Sequence, residues 1–114
     1  MKNKKKRILI VDDDPDHQML LFNILRKHYI LSEADNGEQA LVEAASDSPP
    51  DLILLDLMLP DIDGFEVCRR LKKNRATRNI PIVFLSGKST PKDEAAGFSV
   101  GAVEYICKPV NPAA

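Results

Sequence analysis

Five polar side chains of this sequence follow directly after short apolar runs, and their types suit the binding of a cation. Asp12 and Asp13 follow the first such run, and Asp56, Ser86 and Lys108 follow later ones. If these runs are parallel strands of one sheet, their carboxyl ends open into one crevice, which is the usual ligand site of an open α/β sheet. Three carboxylates, a hydroxyl and an amine at one place indicate a ligand rather than solvation alone.

The charges of this group indicate what the ligand is. The three ionised carboxylates outnumber the single cation Lys108, and carboxylates about 4 Å apart repel by several kcal/mol at an effective dielectric near 20. A divalent cation would balance them, and an all-oxygen donor set favours Mg²⁺. Zinc is disfavoured, because no strand in the predicted set closes on His or Cys apart from Cys107.

The elements that must position these residues alternate along the chain. Apolar runs predict five strands, and N-cap patterns predict four helices, which favours a parallel sheet with helices on both faces. The continuously apolar third run predicts a central strand covered on both faces. The predicted strands are Arg7–Val11, Tyr29–Ala34, Leu52–Leu55, Ile82–Leu85 and Tyr105–Cys107, and the predicted caps are Asp14 with Pro15, Asn36 with Gln39, Asp63 with Glu66, and Thr90 with Asp93.

Local composition predicts where the second helix ends and where a fifth helix begins. The second helix should bury four apolar side chains and end at Ser48-Pro49-Pro50; those side chains are Ala40, Leu41, Ala44 and Ala45. A fifth helix should begin near Asn111, and it is expected to be missing because the sequence stops at Ala114. We therefore expect an under-covered apolar face beside the first helix and the fifth strand, with homodimerisation or aggregation as its consequence.

Length and composition exclude several classes of protein. The chain has 114 residues, of which 44% are hydrophobic and 29% charged, which is typical of one globular domain and excludes disorder. The apolar runs beside the motifs are four residues long, whereas a membrane span needs about 20. Two cysteines without a CxxC pair predict reduced thiols. We expect a cytoplasmic location.

The net charge of −1 conceals an uneven distribution. Five of the 16 basic residues lie within residues 2–7, so that the rest of the chain carries 11 basic against 17 acidic residues. We interpret residues 1–6 as a solvated basic tail of a single domain spanning 1–114. Because no aromatic residues are interleaved with these charges, nucleic-acid binding is not predicted.

Four segments in order resemble the receiver domain of two-component response regulators over essentially the whole chain. Asp13 and Asp56 are 43 residues apart, and Ser86 and Lys108 follow Asp56 by 30 and 52 residues. The resemblance implies a flavodoxin-like doubly wound fold with five parallel strands in the order 2-1-3-4-5. The matching segments are Ile8–Pro15, Leu54–Gly64, Val83–Gly87 and Gly101–Pro109.

The resemblance also implies a phosphorelay chemistry. Asp56 would be the phosphoacceptor for the phosphohistidine of a sensor histidine kinase or a histidine phosphotransfer protein. Mg²⁺ would be held by Asp13, Asp56 and the backbone carbonyl of Met58, with Asp12 acting through water. The effector domain or protein that receives the signal does not lie in this sequence, and neither membrane nor nucleic-acid contact is expected of the domain itself.

Other roles implied by the resemblance concern the phosphoryl group and a switch. Lys108 and Ser86 would contact phosphoryl oxygens, and the small residue Gly87 would leave room for the group. Tyr105 would turn inward when the Ser86 hydroxyl moves toward the phosphate. The Lys108–Pro109 bond is expected to be cis. Met58 and Lys88 occupy positions that tune the lifetime of the phosphate in the family.

Structural roles are the preferred interpretation for several other polar residues. Asp14 is expected to cap the first helix, and Asp61 and Asp63 are expected to be loop and cap acids. His17 and His28 are expected to be surface residues.

Two other functions are compatible with parts of the pattern. The segment around Asp12 and Asp14 is similar to the first motif of haloacid-dehalogenase-type phosphatases, which also form an aspartyl phosphate with Mg²⁺. That family needs an acidic pair beyond its lysine, and no acid follows Lys108 here. A receiver-like module that binds partners without phosphorylation is the other alternative, and it predicts normal folding with no phosphoryl uptake.

Overall fold

Five apolar runs and four N-caps divide the chain into alternating strands and helices. The computed structural model describes residues 5–87 and 90–108. The strands are β1 (Lys6–Val11), β2 (Tyr29–Ala34), β3 (Leu52–Leu55), β4 (Ile82–Ser86) and β5 (Glu104–Cys107), and the helices are α1 (Pro15–Leu25), α2 (Gly37–Ala44), α3 (Gly64–Lys73) and α4 (Pro91–Ser99). The predictions for residues 1–4, Lys88, the Lys108–Pro109 bond and a helix from Asn111 lie outside the described residues.

All strand pairs are parallel, and the sheet order is β2-β1-β3-β4-β5. This confirms the predicted doubly wound flavodoxin-like topology. Val11 is in register with Ala34 on one side and with Leu55 on the other. Because the strand ends are level, the residues that follow β1 and β3 emerge side by side at the carboxyl edge of the sheet.

Side-chain caps begin the helices where the sequence predicts them. The carboxylates of Asp14 and Asp63 accept from the N–H groups of Asp16 and Glu66, respectively. Thr90 and Asp93 form a reciprocal capping box at the start of α4. Each bond satisfies a backbone donor that the helix itself leaves unpaired.

The second helix departs from its prediction at both ends. Asn36 caps α2 through the N–H of Gln39, but the Gln39 side chain accepts from the N–H of Asp35 instead of closing a box with Asn36. The helix ends at Ala44, before the predicted stop at residues 48–50, and Ala45 is exposed at the C-cap. Ala45 therefore does not join the core as predicted.

The two faces of the sheet are covered unequally within the described residues. One face packs against α2, α3 and α4, and there Ile53 and Leu55 of β3 are fully buried. The other face packs against α1, and there Leu52 and Leu54 are only half-buried. The prediction that β3 is covered on both faces is therefore only half right. Ile106 of β5 is 44% exposed, and dimerisation through this side stays a prediction.

The described residues contain no helix that is long and apolar enough to cross a membrane.

Candidate functional site

The carboxylates that follow β1 and β3 meet at the carboxyl edge of the sheet. Oxygen atoms of Asp12, Asp13 and Asp56 all lie within 4.8 Å of one another. The β-ladder continues into this group, since the N–H of Asp56 donates to the carbonyl of Val11 at 3.0 Å. Asp12 is 2% exposed and Asp56 6% exposed, whereas Asp13 faces solvent. The site therefore has two buried acids and one open side.

Lys108 joins the two buried acids from the end of β5. Its Nζ donates to Oδ2 of Asp12 at 2.9 Å and to Oδ2 of Asp56 at 3.2 Å. Burial alone would lower the pKa of Lys108, but the bond to Asp12 and the charge of Asp56 outweigh it and raise this pKa. The amine is therefore held as an ammonium ion between the carboxylates.

The pKa values of the two buried acids move in opposite directions. Burial raises the pKa of Asp56, and the charge of Asp12 raises it further, with Lys108 only partly offsetting both. Burial also acts on Asp12, but hydrogen bonds from the Asp14 N–H, Lys108 and His17 prevail and lower its pKa. The ionised form is therefore less well stabilised at Asp56 than at Asp12.

A hard divalent cation fits this donor set. Three carboxylate groups converge, and the only recorded hydrogen bond to Oδ1 of Asp56 among the described residues is a long one of 3.3 Å from the N–H of Met58. Oxygen ligands of this kind suit Mg²⁺, which uses one or two carboxylates and retains several waters.

The prediction that His17 is a surface residue is wrong. Its Nδ1 lies 2.5 Å from Oδ2 of Asp12, and its side chain is only 9% exposed. Pro15 begins α1 three residues after Asp12, so the first turn of α1 stands over the end of β1. His28 is exposed as predicted. The sequence did contain a signal for this contact. His17 lies one helical turn after the N-cap Asp14, and that cap closely follows the acidic end of β1.

Gln18 is a second polar residue that the sequence did not indicate. It is buried, and its Nε2 donates to the carbonyl of Asp12, to that of Ala34 at 3.4 Å and to Oδ1 of Asp35 at 3.1 Å. It therefore joins the carboxyl ends of β1 and β2. Since glutamine on a helix is ordinarily solvated, its type and position gave no signal of this contact.

Ser86 and Tyr105 form the buried pair on the α4 side of the site. The Tyr105 ring centroid lies 5.7 Å from that of Phe84, and the side chain points inward beneath Gly97. Burial raises the pKa of the Tyr105 phenol, and a hydrogen bond with Ser86 opposes that rise. Tyr105 therefore lies inward in this structure, and its role as a switch stays a prediction. A Cβ on Gly87 would meet no atom of the described residues within 4 Å.

The sequence suggested only that Asp61 is a loop acid, but its side chain also binds the start of α2. Its Oδ1 accepts from the N–H of Gly37 at 2.8 Å and its Oδ2 accepts from that of Glu38 at 2.9 Å. It therefore covers the first turn of α2 from the loop that follows β3. These backbone bonds, the one from Gly37 foremost, lower the pKa of Asp61 to about 2.

We expect Asp61→Asn to reduce stability near neutral pH but not in strong acid. A carboxylate whose folded pKa lies below its ordinary 3.8 stabilises the fold above that value, and the contribution disappears as the pH falls toward 2. Thermal midpoints of both proteins between pH 2 and 7 measure this. A constant difference across that range would show that the charge of Asp61 has no part in it.

Gly64 at the start of α3 packs directly on the backbone of the central acid. A Cβ there would lie 2.4 Å from the carbonyl oxygen of Asp56 and 2.8 Å from Cα of Leu57. The N–H of Gly64 also donates to the carbonyl of Leu57 at 2.8 Å. The close approach of α3 to this segment therefore depends on glycine.

We expect Gly64→Ala to destabilise the domain by about 1–3 kcal/mol, because backbone rather than a flexible side chain must move. Denaturant unfolding measures this change. Gly87→Ala is the stability control, since its added methyl group meets no atom within 4 Å among residues 5–87 and 90–108. Equal stability of the two variants would contradict the packing argument.

Comparisons with known proteins match most of the chain. The family model described as "Response regulator receiver domain" matches residues 8–114. A "Probable cyclic di-GMP phosphodiesterase" of Vibrio cholerae is 45% identical over 91% of this chain and 23% of its own length. The "Transcriptional regulatory protein ResD" of Bacillus subtilis is 39% identical over 97% of this chain and 45% of its own length.

Solved structures agree on the fold. A putative response regulator from Chloroflexus aurantiacus superimposes with a TM-score of 0.89 at 35% identity, covering 96% of this chain and 90% of that one. The chemotaxis protein CheY4 of Vibrio cholerae gives 0.89 at 27% identity, covering 96% and 92%. The chain spans 23–48% of the length of these and similar curated relatives. With its sheet order, its acidic cluster and these matches, the chain belongs to the receiver domain family of response regulators.

Proposed function

We propose that this receiver domain takes its phosphoryl group on Asp56. The supporting observation is the position of that carboxylate at the end of the central strand, clustered with Asp12 and Asp13 and 3.2 Å from the ammonium group of Lys108. The donor would be the phosphohistidine of a sensor histidine kinase or a histidine phosphotransfer protein.

In the proposed transfer, an Oδ atom of Asp56 attacks phosphorus and forms a P–O bond while the P–N bond of the donor breaks. The donor imidazole keeps the electron pair of that bond and takes up a proton, and Asp56 becomes an acyl phosphate. Asp56 suits this role because burial and the neighbouring Asp12 raise its pKa. A carboxylate that is poorly stabilised in its own site is a better nucleophile than a fully paired one.

Other side chains would bind and orient the group. Lys108 would move from the carboxylates to a phosphoryl oxygen, and the Ser86 hydroxyl would donate to another. We propose that Asp13, Asp56 and the Met58 carbonyl hold Mg²⁺, with Asp12 linked through water. Mg²⁺ would neutralise charge that develops on the transferring group.

We propose that Ser86 and Tyr105 convert this event into a change of surface. The two side chains interact in the structure, and Tyr105 packs against Phe84 and beneath Gly97 of α4. A phosphoryl group that binds the Ser86 hydroxyl would change this contact, and it shifts the population only if it favours one arrangement.

We expect beryllofluoride, a mimic of aspartyl phosphate, to shift backbone resonances of α4 and β5 as well as those of the acidic site. Comparison of amide NMR spectra with and without the mimic measures this. Changes limited to residues that surround Asp56 would argue against a switch.

The wider setting of the domain is also proposed. Residues 1–114 would form one receiver domain, and the domain would act in the cytoplasm. Its basic tail would end at Lys5 rather than at the predicted residue 6, because Lys6 already pairs with Tyr29 in β1. It would catalyse only its own phosphorylation and slow dephosphorylation. A histidine kinase or phosphotransfer protein would act upstream, and an effector domain or protein would receive the signal.

Phosphoryl uptake tests the proposed function directly. Incubation with acetyl phosphate and Mg²⁺ should add one phosphoryl group per chain by intact mass, and hydroxylamine should remove it, since an acyl phosphate is labile to that reagent. A chelator should prevent uptake. A folded chain that gains no phosphoryl group would favour a phosphorylation-independent interaction module, and rapid turnover of phosphate esters would favour the phosphatase alternative.

A further inference from the structure

We propose that His17 is a positioning residue of this site, which holds Asp12 in place so that Lys108 is free to move to the phosphoryl group. The inference rests on the proposed function, because it concerns the same site. It assigns a role to a side chain that lies outside the cluster of carboxylates, on the first turn of α1.

The carboxylate of Asp12 has more partners than it needs for its orientation. Oδ1 accepts from the N–H of Asp14 at 3.0 Å, and Oδ2 accepts from both His17 at 2.5 Å and Lys108 at 2.9 Å. If Lys108 leaves, one bond to each oxygen remains. Asp12 then keeps its direction, because two bonds on different oxygens fix the plane of a carboxylate.

Within the described part of the chain, the bond to Asp12 is the one polar contact of the His17 ring. An ionised carboxylate only accepts, so Nδ1 of His17 must carry the hydrogen. The opposite ring atom, Nε2, is buried and has no hydrogen-bond partner among residues 5–87 and 90–108. Burying a polar atom without a partner is unfavourable. The bond from Nδ1 to Asp12 is therefore the interaction that offsets this cost and holds the ring in place.

The neighbouring residue secures the other end of Asp12. Gln18 donates to the backbone carbonyl of Asp12, whereas His17 binds the carboxylate. Two consecutive side chains of α1 thus hold the backbone and the side chain of one acid. Of these two residues, only His17 shares its acceptor atom with Lys108, so the bond from His17 bears directly on how tightly Asp12 retains Lys108.

The bond from His17 to Asp12 affects how easily the ammonium group of Lys108 can leave Asp12. The ammonium group bridges Asp12 and Asp56 in the structure, and it has three hydrogens to donate. Without His17, Lys108 would be the one remaining side-chain donor to Asp12 among the described residues, and its departure would leave Oδ2 unpaired in a buried place. We therefore expect loss of the His17 donor to weaken binding of the phosphoryl group more than binding of Mg²⁺.

Three substitutions of His17 separate its donor from its volume. In His17→Asn the side-chain amide lies where Nδ1 lies, in His17→Gln it lies near Nε2, and His17→Leu has no donor. We measure Mg²⁺ affinity alone and beryllofluoride affinity at saturating Mg²⁺ by NMR. His17→Gln and His17→Leu should bind beryllofluoride about tenfold more weakly than wild type, and His17→Asn within about twofold of it. Mg²⁺ affinity should change by less than about threefold in all three, because His17 supplies no ligand.

A nitrogen-15 spectrum of the wild-type imidazole provides an independent readout, and it should show the hydrogen of His17 on Nδ1. It also keeps the proposal testable if His17→Leu does not fold. Wild-type beryllofluoride affinity in folded His17→Leu, equal losses in the Asn and Gln variants, or a hydrogen on Nε2 alone would each overturn the role of His17. Absence of beryllofluoride binding in the wild type would instead refute the proposed function, and this inference with it.

Discussion

Asp56→Asn is expected to abolish phosphoryl uptake, because an amide cannot replace the carboxylate as the attacking group. Acetyl phosphate with Mg²⁺ should add a phosphoryl group to the wild type and none to the variant by intact mass. The variant should remain folded. Because the folded protein raises the pKa of Asp56, the ionised side chain costs stability at neutral pH, and removing its charge should leave the thermal midpoint equal or higher.

The matched control for this experiment is Asp63→Asn. Asp63 is an exposed acid in the same β3–α3 connection, and asparagine caps a helix about as well as aspartate. This variant should be phosphorylated like the wild type. Uptake by Asp56→Asn at the wild-type level would place the phosphoacceptor elsewhere, and loss of uptake in both variants would point to a general effect of charge.

Lys108→Ala is expected to remove the response to the phosphoryl group while Mg²⁺ binding persists. The ammonium group lies between Asp12 and Asp56 and repels a cation bound there, so Mg²⁺ affinity should stay level or rise. Beryllofluoride affinity at saturating Mg²⁺ should fall about tenfold or more, since a charged hydrogen bond is lost. Both affinities can be followed by NMR.

Lys108→Ala should also lower the stability of the fold, so a second variant is needed to separate this effect from the loss of binding. Removing one partner of a buried ion pair costs about 3–5 kcal/mol, so Lys108→Ala should also unfold at a lower temperature when no cation is present. Lys108→Arg keeps the positive charge and should recover most of that stability, although its guanidinium differs in shape from an ammonium ion. A large loss of Mg²⁺ affinity in Lys108→Ala would contradict the assigned role.

Much of the fold could be predicted because its determinants are local. Leu52–Leu55 has the boundaries that the sequence indicated, because an apolar run between two aspartates defines its own ends. Helix α4 begins after Thr90 as predicted, because a capping box marks a helix start. The end of α2 could not be predicted in this way. Nothing local marks Ala44 as its last residue, and the Ser-Pro-Pro stop lies beyond Ala45.

The residues of the site likewise fall into those that local sequence could predict and those that it could not. Asp12, Asp13 and Asp56 could be placed together because strand ends of a parallel sheet share an edge. His17, Gln18 and Asp61 act through contacts between different elements. Their partners depend on how α1 and the β3–α3 connection pack, which no short-range pattern encodes.

The inward position of Tyr105 gives the domain an optical reporter of its own. The sequence contains two tyrosines and no tryptophan, so tyrosine emission is not masked. Tyr29 starts β2 in register with Lys6, at the far end of the sheet from the acidic edge, whereas Tyr105 is buried against Phe84 and interacts with Ser86. A change of emission on phosphorylation would therefore arise at Tyr105, and the state of the domain could be followed in solution without any label.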